Sequence, residues 1–283
     1  MNHIIITPVF NEEEFLERFI MSIIKQINKP KLFILVDDNS NDNSAEIIKS
    51  FTLRYNWIKY YYYESKPLKN QGSKVVEAFN YGLSKIKANE VDIISKIDAD
   101  LQFPCTYFSE INNIFENNPK VGICGGIIQE KRDNKWKDII CAQYHIRGAL
   151  KSYRTSCFNE IGGIKPVLGW DGLDEMNALY LGWKTRIINT RVKHFRQASS
   201  DYNLVKLSYK YGLANYRNGG NLFLAIIRSL VRLFDKPYVI IGLSFMRGYL
   251  AGLLNGEKNL TNKKLCKFIN NFHLKRLIKL SRY

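Results

Sequence analysis

Through the first 115 positions, short apolar runs alternate with apolar residues spaced three and four apart. Segment 3–10, rich in β-branched residues, predicts a buried strand. After it, Phe15, Leu16, Phe19, Ile20, Ile23, Ile24 and Ile27 form one helical stripe, with Asn11 expected as cap and Glu12, Glu13 and Glu14 in the first turn. The same alternation predicts strands at 31–36, 58–63 and 93–100, and helices at 44–51, at Val75 to Leu83 and at 106–115. A further strand is expected at 121–128, and a helix opening near Trp170 and closing at Gly182-Trp183. Strands separated by helices predict an α/β fold with a mostly parallel sheet flanked by helices.

After about residue 200 the pattern changes. Residues 204–216 read as a helix, and 222–234 as an apolar helix interrupted by Arg228 and Arg232 on one face. Beyond Pro237 comes a 17-residue apolar run, Tyr238 to Leu254, that carries Arg247. That is short of the roughly 20 residues needed to span a bilayer. It is expected to lie in a membrane interface with its arginines reaching the headgroups. A helical subdomain packed on the first domain is the alternative. From Lys258 to Tyr283 there are eight Lys or Arg and no acidic residue, within a chain whose net charge is +16. A basic tail beside apolar helices points to an anionic membrane surface and away from nucleic acid. The expected domains are 1–198 and a helical, apolar and basic region, 199–283. No basic segment followed by an apolar one precedes Ile4, and the five cysteines form no Cys-x-x-Cys, so a cytoplasmic protein peripheral on the inner face of the membrane is expected.

The candidate chemistry gathers at strand ends. Asp98 and Asp100, one residue apart at the C-terminal end of an apolar strand, are placed to share a divalent cation that bridges a diphosphate. Asp37 and Asp38 end the second strand. Lys74 sits near a helix N-terminus, where a cation opposes the helix dipole unless an anion such as phosphate neutralises both. Asp171, Asp174 and Glu175 lie at i, i+3 and i+4 on one helical face. His194 follows a predicted strand, and Arg147 and Arg154 flank a Gly148-Ala149 turn as candidates for binding phosphate.

Thr7-Pro8-Val9-Phe10-Asn11-Glu12, Val36-Asp37-Asp38-Asn39-Ser40, Asp98-Ala99-Asp100, and Trp170-Asp171 opening a helix that closes in Gly182-Trp183, taken in that order, resemble a family 2 glycosyltransferase of the GT-A fold. The resemblance covers roughly residues 1–198. It implies a nucleotide-diphosphate sugar donor, with a UDP-sugar favoured, Mn²⁺ or Mg²⁺, and transfer with inversion to a hydroxyl of a glycan or lipid-linked acceptor in surface polysaccharide synthesis. Carried over, Thr7, Pro8 and Glu12 border the base, and Asp38, with Asp37 behind it, contacts base and ribose. Asp98 holds ribose or metal, and Asp100 is the principal metal ligand, with His194 near the metal or diphosphate. The family's usual Glu-Asp pair falls on Trp170 and Asp171, so the base is Asp171, with Asp174 or Glu175 as alternatives one turn along.

Two enzymatic or binding alternatives stand beside this one. A sugar-phosphate nucleotidyltransferase would want a glycine-rich loop after the first strand, which Thr7 to Glu14 lacks. A non-catalytic nucleotide-sugar-binding homologue would tolerate Trp170 in place of the acidic residue.

Overall fold

The computed structural model describes residues 1–65, 73–86, 91–196 and 203–280. The chain divides into two compact units, one of residues 1–166 and 170–197, the other of 198–283 together with Val167–Gly169.

The first unit is an α/β sandwich on one mixed sheet. Its elements are β1 (His3–Val9), α1 (Glu13–Ile24), β2 (Leu32–Asp38), α2 (Ser44–Thr52), β3 (Ile58–Tyr63), α3 (Ser73–Leu83), β4 (Ile93–Ile97), β5 (Leu101–Gln102), α4 (Tyr107–Asn117), β6 (Val121–Arg132), β7 (Lys135–Asp138), β8 (Leu150–Arg154), α5 (Thr155–Glu160), α6 (Trp170–Tyr180) and β9 (Lys184–His194). The sheet runs β3-β2-β1-β4-β8-β6-β9-β5, with β7 hairpinned onto β6. One half, β3-β2-β1-β4, is parallel throughout. In the other half β8 inserts antiparallel between β4 and β6, β9 returns parallel to β6, and β5 pairs antiparallel with β9. The mostly parallel sheet expected from the sequence is thus parallel in its β3-β2-β1-β4 half and mixed in the other.

Helix–sheet packing explains the apolar code. Ile4, Ile5 and Ile6, Phe33 to Val36, and Ile93, Ile94 and Ile97 are buried, as strands covered on both faces must be. The α1 stripe Leu16, Phe19, Ile20 and Ile23 closes over them. Asn11, however, does not cap α1. It adopts a left-handed backbone with φ 54°, Glu12 takes the cap position without a side-chain cap bond, and the Asn11 amide oxygen accepts from Asn41 N–H at 2.9 Å. Strand β8 was not expected, because Lys151 in its centre reads as a surface residue. In the structure Lys151 is fully buried.

His3, in β1, is buried against Ser95, with its Nε2 2.7 Å from the Ser95 hydroxyl, and burial lowers its pKa to about 3. An unfolded chain protonates His3 near its ordinary value, so this contribution to stability is complete above about pH 6.5 and falls as pH drops from there towards 3. Between pH 6.5 and 5 the expected loss is about 2 kcal/mol. Urea midpoints of wild type and His3→Gln across that window check it: the variant should show a shallower pH slope, and parallel slopes would contradict the assignment.

The second unit consists of α7 (Leu204–Arg217), α8 (Leu222–Arg232), α9 (Ile240–Leu254) and α10 (Lys263–Leu280). Helices α7 and α9 cross at glycines: a Cβ on Gly212 would meet Phe245 O at 1.8 Å, and one on Gly248 would meet Tyr209 O at 1.9 Å. Ser208 and Ser244 hydroxyls donate across the same seam to Ile241 O and Val205 O. Phe223, Ile226, Leu230 and Phe234, spaced for one helical face of α8 and the turn after it, remain exposed, as do Tyr238 to Ile240 and Leu243. Among the described residues no helix is long and apolar enough to cross a membrane.

Candidate active site

The parallel strands β1, β2 and β4 end at one edge, where open α/β sheets bind ligands. The loops after β1 and β2 are clasped together. Asn11 N–H donates to the Ser40 hydroxyl (3.0 Å), Glu12 N–H to Ser44 (2.9 Å) and Glu13 N–H to Asp42 (3.1 Å). Asp37 is buried and accepts from Ser40 N–H (3.0 Å) and the Tyr60 hydroxyl (3.1 Å), which fixes the loop from behind. Asp38 accepts from Ser65 N–H at 2.8 Å. Thr7, expected to border a base, is wholly buried within β1 and its hydroxyl has no partner, whereas Pro8 beside it is partly exposed. Every residue of β1 except Pro8 is buried, so Pro8 is the more accessible of the two. Lys74 stands exposed in the first turn of α3; the Asn70 to Gly72 lead into that helix lies outside the described residues.

Asp98 and Asp100 follow β4 in a turn, and the two carboxylates are held differently. The Asp98 N–H donates to Ala149 O at 2.9 Å, and its carboxylate is ion-paired with buried Lys96, which also donates to Gly148 O at 3.1 Å. Burial raises the Asp98 pKa, Lys96 opposes this, and Asp100 adds to it. Asp100 Oδ2 lies 3.0 Å from His194 Nε2, an approach made by the β5–β9 pairing of Leu101 with His194. Asp100 Oδ1 is buried with no hydrogen-bond partner. On the far side of His194, Glu130 lies 3.6 Å from Nδ1. Burial opposes protonation of His194, but the Asp100 hydrogen bond and the charges of Asp100, Asp98 and Glu130 prevail and raise its pKa.

Glu12 completes this group. Arg196 grips it with two bonds, Nη1–Oε1 at 2.8 Å and Nη2–Oε2 at 3.0 Å. Even so, burial and then Asp100 push its carboxyl up to about 8, because Arg196 only partly offsets them. Carboxylates thus converge with too little positive charge, and one buried oxygen stays unmatched. That donor set fits a hard divalent cation. Among the described residues no three His, Cys, Asp or Glu side chains form a ready-made metal cage.

Trp170 joins this cluster to a second one. Its ring lies 5.3 Å from Lys96 Nζ and 5.6 Å from Lys151 Nζ, so the π-face that occupies the expected acidic position contacts two buried ammonium groups. Gly148 permits the approach, since a Cβ there would meet the Trp170 ring at 2.9 Å and Asp171 Cβ at 3.1 Å. Of the three acids on α6, Asp171 alone is partly open, with a side chain 34% exposed. Asp174 and Glu175 are buried and fully engaged. Asp174 accepts from Lys151 (2.8 Å), the Tyr153 hydroxyl (2.5 Å) and Glu175 N–H (2.6 Å). Glu175 accepts from Ile146 N–H (2.7 Å), lies 2.9 Å from Lys151 Nζ and 2.9 Å from His145 Nδ1. Burial works against the Lys151 charge, but Asp174, Glu175 and Asp171 outweigh it and raise its pKa. The expected single acidic face is therefore split into one open carboxylate and two that anchor a lysine.

Arg154, expected at a phosphate, instead donates to Val121 O (3.0 Å), Phe115 O (2.5 Å) and Asn118 O (3.2 Å), closing the C-terminus of α4. Arg147 is half-buried beside Cys141. Lys96, Lys151, Tyr153, His145, Glu130 and Arg196 belong to the site and were not expected there. The available signal was a lone charge inside an apolar strand, as in Ile94-Ser95-Lys96-Ile97, because a buried charge implies a partner.

The Glycosyl transferase family 2 sequence profile matches residues 4–162, more than half of the chain. The chain belongs to glycosyltransferase family 2. The match spans β1 to the turn after α5 and includes Asp37, Asp38, Asp98 and Asp100. Among curated relatives of this chain are glycosyltransferase GlyG of Streptococcus pneumoniae, 30% identical over 94 residues (33% of this chain, 29% of GlyG), and undecaprenyl-phosphate 4-deoxy-4-formamido-L-arabinose transferase of Serratia proteamaculans, 29% identical over 143 residues (47% of this chain, 38% of the relative). The matched segments are thus about a third of those relatives' length. Solved structures share the fold. The chain superposes on mannosyltransferase PcManGT of Pyrobaculum calidifontis, in complex with GDP-Man and Mn²⁺, with a TM-score of 0.59 at 14% identity, covering 90% of this chain and 88% of that one. It superposes on S. aureus TarS 1-349 in complex with UDP-GlcNAc with a TM-score of 0.58 at 14% identity, covering 90% and 75%. The GT-A fold of the chain is established by these likenesses.

Proposed function

We propose that the protein moves a sugar, with inversion, from a nucleotide-diphosphate sugar to an acceptor hydroxyl in surface-glycan synthesis. The observation that carries this reading is the convergence of Glu12, Asp98 and Asp100 at the strand ends with a buried carboxylate oxygen left unmatched. Asp38 and Pro8 border the nucleoside side, with Asp37 stiffening the loop from below and Lys74 facing the phosphates. Asp100 and Asp98 would hold Mn²⁺ or Mg²⁺, with His194 in its neutral form as a further ligand. The bound cation supplies neutralisation of charge on the departing nucleoside diphosphate. Asp171, the open acid of α6, takes the proton of the attacking hydroxyl. Structures of the same fold bound to GDP-Man with Mn²⁺ and to UDP-GlcNAc support the donor class; the UDP-sugar is favoured from the resemblance of the motifs.

A thermal-shift panel of UDP- and GDP-sugars with Mn²⁺ tests the donor reading, because a ligand that binds only the folded state raises its melting temperature. Wild type is expected to shift with at least one donor, and Asp100→Ala to lose that shift when it is measured against the variant's own unliganded melting temperature, which the broken His194 pair lowers. A shift that survives in Asp100→Ala would refute the role of Asp100.

The exposed apolar face of α8 and the basic residues of α10 support peripheral binding to an anionic bilayer on the cytoplasmic side. The full chain should float with vesicles containing anionic lipid and not with neutral ones, and Phe223→Asp with Phe234→Asp should weaken flotation. Equal recovery with both vesicle types would argue against the electrostatic part.

A further inference from the structure

His145 is absent from the motifs that mark the site, yet it lies between two of the α6 acids. Its Nδ1 is 2.9 Å from Glu175 Oε2 and its Nε2 is 4.0 Å from Asp171 Oδ2. Glu175 is wholly buried, and its other oxygen is occupied by Ile146 N–H and Lys151. With Lys151 charged beside it, Glu175 is an acceptor, so the neutral ring carries its proton on Nδ1 and presents a bare Nε2 towards Asp171. The histidine side chain is 25% exposed and that of Asp171 is 34% exposed, so both lie at the open end of the cluster.

We propose that His145 is a relay residue acting through Asp171, oriented by Glu175. This rests on the reading of Asp171 as the base. In the transfer step the acceptor oxygen bonds the anomeric carbon, and the bond from that carbon to the diphosphate oxygen breaks, its electron pair leaving with the nucleoside diphosphate. The acceptor's proton goes to the Asp171 carboxylate and from there to His145 Nε2. The products of the relay are an Asp171 carboxylate and an imidazolium flanked by two carboxylates, Asp171 and Glu175. A carboxylate alone is a weak resting place for an alcohol proton, whereas an imidazole with a bare ring nitrogen is the more basic of the two side-chain types. The 4.0 Å separation closes through rotation of the partly exposed Asp171 side chain, as catalytic contacts tighten when substrate binds. The same arrangement gives Asp174 and Glu175 a purpose other than direct chemistry: through Lys151 and Ile146 N–H they fix the 145–151 segment against α6.

Two measurements on the full chain test the relay. Histidine-labelled NMR at pH 8, with the ring assigned by His145→Gln, should show the Nδ1–H tautomer; an Nε2–H tautomer would overturn the proposal without any substrate. Turnover of a UDP- or GDP-sugar panel with Mn²⁺, read as released nucleoside diphosphate, should fall by about tenfold to a hundredfold in kcat for His145→Ala, the range for an orienting partner. The donor KM should stay within twofold, and added imidazole should restore part of kcat. An unchanged kcat, or a loss shared with melting temperature and unrescued by imidazole, would reject the relay. Loss of turnover in Asp171→Asn with an unaffected His145→Ala would leave the glycosyltransferase reading standing and the relay alone disproved.

Discussion

Asp171→Asn should retain donor binding and lose kcat for transfer by about 10²- to 10⁴-fold, the range for removal of a general base. Asparagine matches the shape of the side chain but cannot accept the acceptor's proton. The carboxylate is the open acid of α6, and its backbone carbonyl is held by Lys151, so the substitution leaves the helix start in place. A donor-induced thermal shift that survives in the variant, together with kcat collapsing at unchanged KM, separates lost chemistry from lost binding. Glu175→Gln serves as the contrast. Its carboxylate is enclosed by Lys151, Ile146 N–H and His145, so its loss should register mainly as instability. Full activity in Asp171→Asn, with activity lost in a well-folded Glu175→Gln, would move the base assignment one turn along the helix.

The second large effect concerns stability. Lys151→Met should lower unfolding free energy by about 3–5 kcal/mol, the cost of breaking a buried ion cluster by removing one partner. Lys151 is wholly buried, lies 2.8 Å from Asp174 and 2.9 Å from Glu175, and rests against the Trp170 ring. Without it, two adjacent carboxylates remain in a dry site. Part of that burden is relieved by protonation, since burial pushes Asp174 up to about 7 even with the lysine present. Urea unfolding reads the effect as a lowered midpoint at constant m-value. The triple change Lys151→Met, Asp174→Asn, Glu175→Gln should recover a large part of the loss, because no unpaired charge is left. A midpoint within about 1 kcal/mol of wild type for Lys151→Met alone would show that the cluster is solvated in solution.

Much of the parallel half of the sheet was legible because each of its elements obeys a local rule. The β-branched run of β1, the three-and-four spacing of α1 and the terminal aspartates of β2 and β4 are properties of contiguous residues. The other half escaped because it is assembled from distant segments. Strand β8 contains a lysine that only α6 neutralises, and two-residue β5 exists only as a partner of β9. The Asn11 position reads as a helix cap in sequence, but the β2 loop captures its side chain and shifts the cap to Glu12.

The site divides along the same line. Asp98, Asp100, Asp37, Asp38 and Asp171 stand at strand and helix ends, so element boundaries alone brought them forward as candidates. Which carboxylates of α6 stay partly open was decided by partners far along the chain: Lys151, Tyr153, Ile146 and His145 engage Asp174 and Glu175, while Thr7 is buried within β1. By itself the sequence determined the alternation of elements, the motifs of the family and the apolar, basic character of the last helices, because these depend on spacing and composition. The tertiary structure alone decided which charges are paired and which stay partly open, because that depends on which distant donors surround each carboxylate.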